Sequence, residues 1–410
     1  MKKIYFDHVT TTPTRAEAVQ AMWPYFSEIF GNPGSFHSTG QKAHSAIEAA
    51  RTKTALAIGA KPAEIIFTSG GTEAINMAIK GIAKANKKKG NHIITCAIEH
   101  HASLNSCKAL AKEGFQVTVL PVDTNGMVSA AEVAGAITDQ TILINIMHAN
   151  NEVGTIQPIV EIVQIAKEKG IYFHTDACQT VGRLPINVEE MGIDLLSLSG
   201  HKIYGPKGVG ALYIRKGVKW LPLFNGGAQE RLRRSGTENV PGIVGLGTAL
   251  ELATAEMERE MARLADLRDR LAEGLITKIK RSRLTGHPTM RLPNHVSLLI
   301  EFIEGESQLL SLDAKGIAAS TGSACTSGSL EPSHVLLAMG ISHELAHGSL
   351  VLSLGRNNQL ADVEYFLAVF PEIVERLRSI SPLDEEVETP VGSTCGSCQT
   401  FRSCRDATGS

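Results

Sequence analysis

Ser199-Gly200-His201-Lys202-Ile203-Tyr204-Gly205-Pro206-Lys207-Gly208 is the stretch on which the reading of this chain turns. The apolar run before it, Asp194-Leu195-Leu196-Ser197-Leu198, has the length and composition of a short buried strand. It delivers Lys202 to a strand's carboxyl end, the edge at which open α/β sheets bind their ligands. An amine held there in a semi-apolar pocket has a lowered pKa and bonds covalently to a carbonyl cofactor. The glycines and proline that follow stop a helix and predict a fixed loop. A lysine after a strand is by itself commonly a solvated loop residue, so its companions decide the matter.

Upstream, Glu64-Ile65-Ile66-Phe67-Thr68 reads as a strand that runs into Ser69-Gly70-Gly71-Thr72-Glu73 and then a helix over 74–83. Strand, glycine turn and helix start present backbone N–H groups to a phosphate, although two glycines alone are more often a turn with no ligand. Further strands are predicted near 92–96, 116–120, 141–147, 171–175 and 210–215, with helical stretches between them. This alternation predicts an α/β fold, a mostly parallel sheet with helices on both faces. The strand ends carry polar groups: Glu99-His100-His101, His148-Ala149-Asn150-Asn151-Glu152 and Asp176-Ala177-Cys178-Gln179. A carboxylate closing a buried strand keeps a pyridine nitrogen protonated, so Asp176 beside Lys202 points to pyridoxal phosphate. Taken singly, each of these groups also serves as a helix cap. No His-x-x-x-His spacing joins these histidines, which argues against a metal among them.

The remaining segments carry weaker signals. Gly31-Asn32-Pro33-Gly34-Ser35 is a turn in which Asn32 is free to bond a ligand, or a plain connection. The segment from Arg231 to Asn239, with Thr237, is basic and hydroxyl-rich and suits a phosphate in its own subunit or across a dimer. A long helix over 240–279 bridges to a second domain with a strand at 294–302 and a helix at 306–312. In Ser320-Thr321-Gly322-Ser323-Ala324-Cys325-Thr326-Ser327-Gly328-Ser329 the small, hydroxylated neighbours of Cys325 suit a mobile loop better than a core. The thiol is either inert or a nucleophile. The tail holds Cys395, Cys398 and Cys404, a spacing that matches zinc or iron-sulfur ligation with a fourth ligand missing locally.

Composition sets the bounds. A length of 410 residues with 43% hydrophobic residues accommodates one large domain and a smaller one. A net charge of -2 argues against a nucleic acid partner. The basic start lacks the apolar stretch of a signal peptide, and no segment nears the ~18 apolar residues of a membrane span, so a cytoplasmic protein is expected. Seven cysteines, an odd number, predict reduced thiols rather than a disulfide framework.

Together, Ser-Gly-His-Lys-Ile-Tyr-Gly-Pro-Lys-Gly, Asn-Asn-Glu-Val-Gly, Asp-Ala-Cys-Gln, Arg-Ser-Gly-Thr and Gly-Ser-Ala-Cys-Thr-Ser, at their present intervals, resemble the NifS/IscS-like cysteine desulfurases of the class V aminotransferase fold. The likeness runs from residue 4 to about 382. It implies that Lys202 holds pyridoxal phosphate covalently, that His100 stacks on the ring and helps move protons, and that Asp176 pairs with the ring nitrogen. Asn151 and Gln179 would contact the substrate side and the ring oxygen. Gly71, Thr72, Ser199 and His201 would hold the phosphate, joined by Thr237 of a partner subunit in a homodimer. Cys325 would accept sulfur on the longer loop of the branch that hands it to other proteins. The implied division is a large cofactor domain at 14–255, a small domain from 1–13 and 256–385 with the cysteine loop, and a tail at 386–410.

The expected activity is conversion of L-cysteine to L-alanine, with persulfide sulfur passed to an iron-sulfur scaffold or a thiolation acceptor. Three positions depart from the pattern: Thr10 and Gly71 replace alanines, and Val351 replaces the arginine that grips the substrate carboxylate. Arg356 is the nearest substitute in sequence, with Asn32 as a neutral helper. Two other readings stay open: a scaffold or metal-binding protein working through the tail cysteines, and a lyase acting on a different substrate.

Overall fold

In chain order the strands of the computed structural model, which describes residues 3–322 and 331–381, are β1 (Ile4–Tyr5), β2 (Ile65–Thr68), β3 (His92–Cys96), β4 (Gln116–Leu120), β5 (Thr141–Asn145), β6 (Tyr172–Asp176), β7 (Leu195–Ser199), β8 (Gly210–Ile214), β9 (Ser282–Leu284), β10 (His295–Ile300), β11 (Ile317–Ala318) and β12 (Ser349–Ser353). Seven of them form one sheet in the order β2-β8-β7-β6-β5-β3-β4. β4, β3, β5, β6 and β7 run parallel, while β8 is antiparallel to both β7 and β2. Two reversals restore direction, so β2 points the same way as β7. The carboxyl ends of β2, β3, β5, β6 and β7 therefore share one edge. The predicted α/β sheet is what the chain forms.

Burial explains the strand sequences. β3, β5, β7 and β8 are buried at every position and read as near-continuous apolar runs, as strands covered on both faces must. β4, at the edge, is only partly buried. Helices Gly71–Asn86 and His101–Lys112 pack on one face around Ile66, Ile79, Ile82 and Leu143. On the other face Ser38–Leu56, Ile159–Glu168 and the start of Val240–Lys278 bury Ile47, Ile162 and Leu246.

A second core collects Ile4, Phe6, Leu298, Leu352, Phe366 and Phe370 around the three-stranded sheet β12-β10-β9. The helix Val240–Lys278 serves both cores: Val240 to Leu250 lie in the first, Leu264 to Leu275 in the second. Its 39 residues are continuous. Such a helix is about 58 Å long at 1.5 Å per residue.

Candidate active site

The shared edge of the sheet borders a cavity of about 250 Å3. β7 ends in a single 3-10 turn, Gly200–Lys202, where the sequence predicted plain loop. The turn closes because the N–H groups of Ile203 and Gly205 both donate to Gly200 O, at 3.1 and 3.0 Å. Lys202 projects into the cavity, and its Nζ donates to the carbonyls of Val9 and Thr10, the latter at 2.6 Å. Buried Arg183 fixes the backbone behind it: Nη2 donates to Lys202 O at 2.6 Å, and Nη1 to Gln179 Oε1 at 3.0 Å.

Other strand ends bring the predicted partners. His100, Asn151, Asp176, Gln179, Ser199 and His201 all line the same cavity, as do Gly71 and Thr72. Asp176 closes β6, is buried, and has one oxygen occupied by the Cys178 N–H at 2.9 Å. His100 caps the helix His101–Lys112, its Nδ1 accepting from the Ala102 N–H at 3.0 Å. Burial holds its pKa below the ordinary histidine value. The neutral ring then carries its proton on Nε2, a donor. Burial, with Lys202, Lys207 and Arg183 adding repulsion, pushes His201 down to about 4.

This cavity fits pyridoxal phosphate on its own chemistry. The helix Gly71–Asn86 starts at Gly70, whose φ of +152° excludes side-chain-bearing residues and which supplies no side-chain cap. Its first N–H groups thus face the cavity edge with Thr72, Ser199 and His201 nearby, a donor set for a phosphate. A primary amine and a buried carboxylate complete the requirements of the ring.

Gly71 has a local cause. A Cβ there would come 2.6 Å from Cys178 Sγ, so the sulfur occupies the space an alanine needs. Overpacking of this kind costs about 1–3 kcal/mol. Gly71→Ala is expected to weaken cofactor binding about 5- to 150-fold, and Cys178→Ala in the same chain to restore it; titration of apoprotein with pyridoxal phosphate measures both.

Three predicted residues do not reach this cavity. Asn32 is exposed in a separate cleft with Arg51 and Glu230, its Oδ1 accepting the Gly34 N–H at 2.9 Å. Thr237, also exposed, lines another cavity with Arg234 and Asn239. Arg356 lies behind Lys202, its guanidinium 4.0 Å from Glu17 and over the Tyr204 ring. Arg356 follows β12, which ends at Ser353, and this packing turns it from the substrate side. Val351 does line the cavity and is 2% exposed. Cys325, Cys395, Cys398 and Cys404 lie outside the described residues.

Sequence reasoning missed Arg183, and it placed Cys178 and Glu152 only at strand ends, without their contacts to Gly71 and Ser333. A further spacing escaped it as well: His343-Glu344-Leu345-Ala346-His347, on one short helix with the two rings 4.9 Å apart. No group of three or more His, Cys, Asp or Glu suited to a metal occurs among the described residues.

An amine at a strand end, an acid at the next, and an uncapped helix start define a class. The sequence matches aminotransferase class-V over residues 4–366, and the chain belongs to that family. Among curated relatives it is similar to a cysteine desulfurase IscS of Methanosarcina thermophila, 63% identical over 93% of this chain and 94% of that protein. It is 55% identical to a cysteine desulfurase IscS of Dictyoglomus turgidum over 94% of this chain and 98% of that one. Among solved structures it resembles a NifS-like protein at TM-score 0.87 and 40% identity, covering 92% of this chain and all of the other, 100%.

Proposed function

We propose that the chain is a pyridoxal phosphate-dependent cysteine desulfurase that converts L-cysteine to L-alanine and keeps the sulfur as a persulfide on Cys325. The observation that carries this is Lys202 facing buried Asp176 and the start of the helix Gly71–Asn86 in one cavity. The relatives named above support the same activity. When bound, pyridoxal phosphate supplies an electron sink for the amino acid. Asp176 would pair with its ring nitrogen, Gln179 with its ring oxygen, and Thr72, Ser199 and His201 with its phosphate. Lys202 Nζ would attach the group and move protons at the substrate, with Nε2 of His100 as a second donor. Asn151 would face the substrate.

The thiolate of Cys325 attacks the substrate sulfur and the Cβ–Sγ bond breaks. The released electron pair takes up a proton, so cysteine and one thiol yield alanine and one persulfide. Incubation with L-cysteine is expected to produce alanine, with one added sulfur atom found on Cys325 by mass spectrometry. Added sulfur on the tail alone would remove the assignment.

The assembly is read as a homodimer. Trp23, Phe26, Phe30 and Phe36 are 66, 61, 73 and 99% exposed, an apolar surface that a second copy would cover. Exposed Thr237, outside the Lys202 cavity of its own chain, suits donation across that interface. The division is read as 14–255 and 1–13 with 256–385; the second core, from Ile4 to Leu377, fits the latter, while Leu299, Val335, Leu336, Met339 and Ala346 of that part pack into the first core. No described helix is long and apolar enough to cross a membrane, and the cytoplasm is the proposed location. The acceptor is read as an iron-sulfur scaffold or thiolation protein, and zinc or an iron-sulfur cluster at the tail rests on the Cys-x2-Cys spacing. Val351 in the cavity wall favours one second reading, a lyase whose substrate lacks the carboxylate.

A further inference from the structure

Glu152 is a carboxyl that the chemistry above does not use. It is buried at 6% exposure, yet it lies in the wall of the Lys202 cavity. Its backbone has little freedom, because Asn150 Oδ1 accepts the N–H groups of Glu152 and Val153 at 2.8 and 3.0 Å. Asn150 is itself tied through Nδ2 to Ile98 O at 2.9 Å. The side chain is thus presented from a turn anchored on the neighbouring strand end.

Two segments meet it. Ser333 Oγ donates to Glu152 Oε2 and accepts the N–H groups of Val335 and Leu336 at 3.1 and 3.2 Å, capping the helix His334–Ala338. On the other side, a Cβ on Gly322 would come 3.0 Å from the same Oε2 and 3.0 Å from Ser333 Cβ. Only glycine allows that approach without displacement. The Gly322 N–H is held by Ser349 Oγ at 3.3 Å, and His334 Nε2 bonds to Glu99 O at 3.0 Å, beside His100. Gly322 is the last described residue before the stretch that contains Cys325, and Ser333 is the third after it.

We propose that Glu152 is a positioning residue for sulfur transfer: its carboxyl, bonded to Ser333 and packed against Gly322, holds in register the two segments that precede and follow Cys325 in the sequence. The inference rests on the desulfurase reading. Burial supports the pin as a neutral group, since it raises the Glu152 pKa to about 8 and a neutral carboxyl needs no counter-charge. A glutamine preserves the acceptor oxygen and neutrality; an alanine removes the pin.

The test uses full-length protein with pyridoxal phosphate bound, and separates substrate binding from sulfur transfer. L-cysteine is added to native protein, Glu152→Gln, Glu152→Ala and Ser333→Ala. The spectral change of the cofactor reports substrate arrival, and mass spectrometry reports persulfide on Cys325. Glu152→Ala is expected to keep the cofactor spectrum and the substrate-dependent change while persulfide formation slows about 10- to 100-fold, the size of a misplaced reacting group. Ser333→Ala is expected to slow it in the same direction, and Glu152→Gln to stay within about twofold of native on this account.

Persulfide formation at the native rate in Glu152→Ala or Ser333→Ala would overturn the proposal. So would equal losses in the substrate-dependent change and in sulfur transfer, or a glutamine variant as slow as alanine. If Glu152→Ala does not fold, Ser333→Ala carries the same comparison. Native protein that forms no persulfide on Cys325 would instead defeat the desulfurase reading.

Discussion

Lys202→Ala is expected to abolish the dialysis-resistant visible absorption of covalently held cofactor and to lower alanine formation from L-cysteine by about 10³-fold or more. The residue is placed by contacts that do not depend on its own side chain. Arg183 holds its carbonyl at 2.6 Å, and the hydrogen bonds to Gly200 O close the turn around it. Alanine therefore leaves the cavity wall standing and removes only the amine. Asp176, Ser199 and the start of the helix Gly71–Asn86 remain to bind the phosphate and ring, so the variant should take up pyridoxal phosphate reversibly. Absorption spectra before and after dialysis distinguish the two modes of binding. A variant that retains tightly bound colour and turnover would show that another amine carries the cofactor.

Val351→Arg is expected to raise kcat/KM for L-cysteine about 10- to 150-fold. A charged hydrogen bond to a carboxylate contributes about 1.5–3 kcal/mol, which converts to that range. β12 places residue 351 at its centre, paired with Ser297 on β10 and bridged to Ser320. The side chain there faces the cavity of about 250 Å3. Neither Arg356 nor Asn32 lines that cavity to take over the contact. Steady-state alanine production by both proteins decides the matter. Fast native turnover with no gain from arginine would mean that the carboxylate is held by a group from elsewhere. A native preference for an amine without a carboxylate would favour the second reading of the substrate.

What was legible in the sequence follows local physics. A parallel strand that ends in a polar residue places that residue on the ligand edge whatever its neighbours are. Hence Asp176, His100 and Lys202 could be assigned to one edge before any fold was at hand. The Gly70-Gly71 turn was legible because a glycine pair stands between a strand and a helix start, and Gly70 does take a φ of +152°. Contacts between residues distant in sequence were not. Gly71 and Cys178 share one volume, and Arg183 braces Lys202 through its backbone, without any periodic pattern to mark either. Arg356 was the nearest candidate to Val351 in sequence, but Glu17 and Tyr204 engage its guanidinium. Glu152 was quoted as a strand end, yet its partners Gly322 and Ser333 come from the far side of the chain.

The helix Val240–Lys278 bears on how the protein responds to stress. One end is embedded beside the cofactor sheet, the other beside β10 and β12. A flexible tether would let each body melt on its own, but a shared rod transmits the loss of one anchorage to the other as lost packing at its own root. Leu264 and Leu271 share that core with Leu350 and Leu352, the neighbours of Val351 on β12, although neither helix leucine lines the cavity. A substitution that loosens Leu264 or Leu271 is thus expected to disturb both cores, not one.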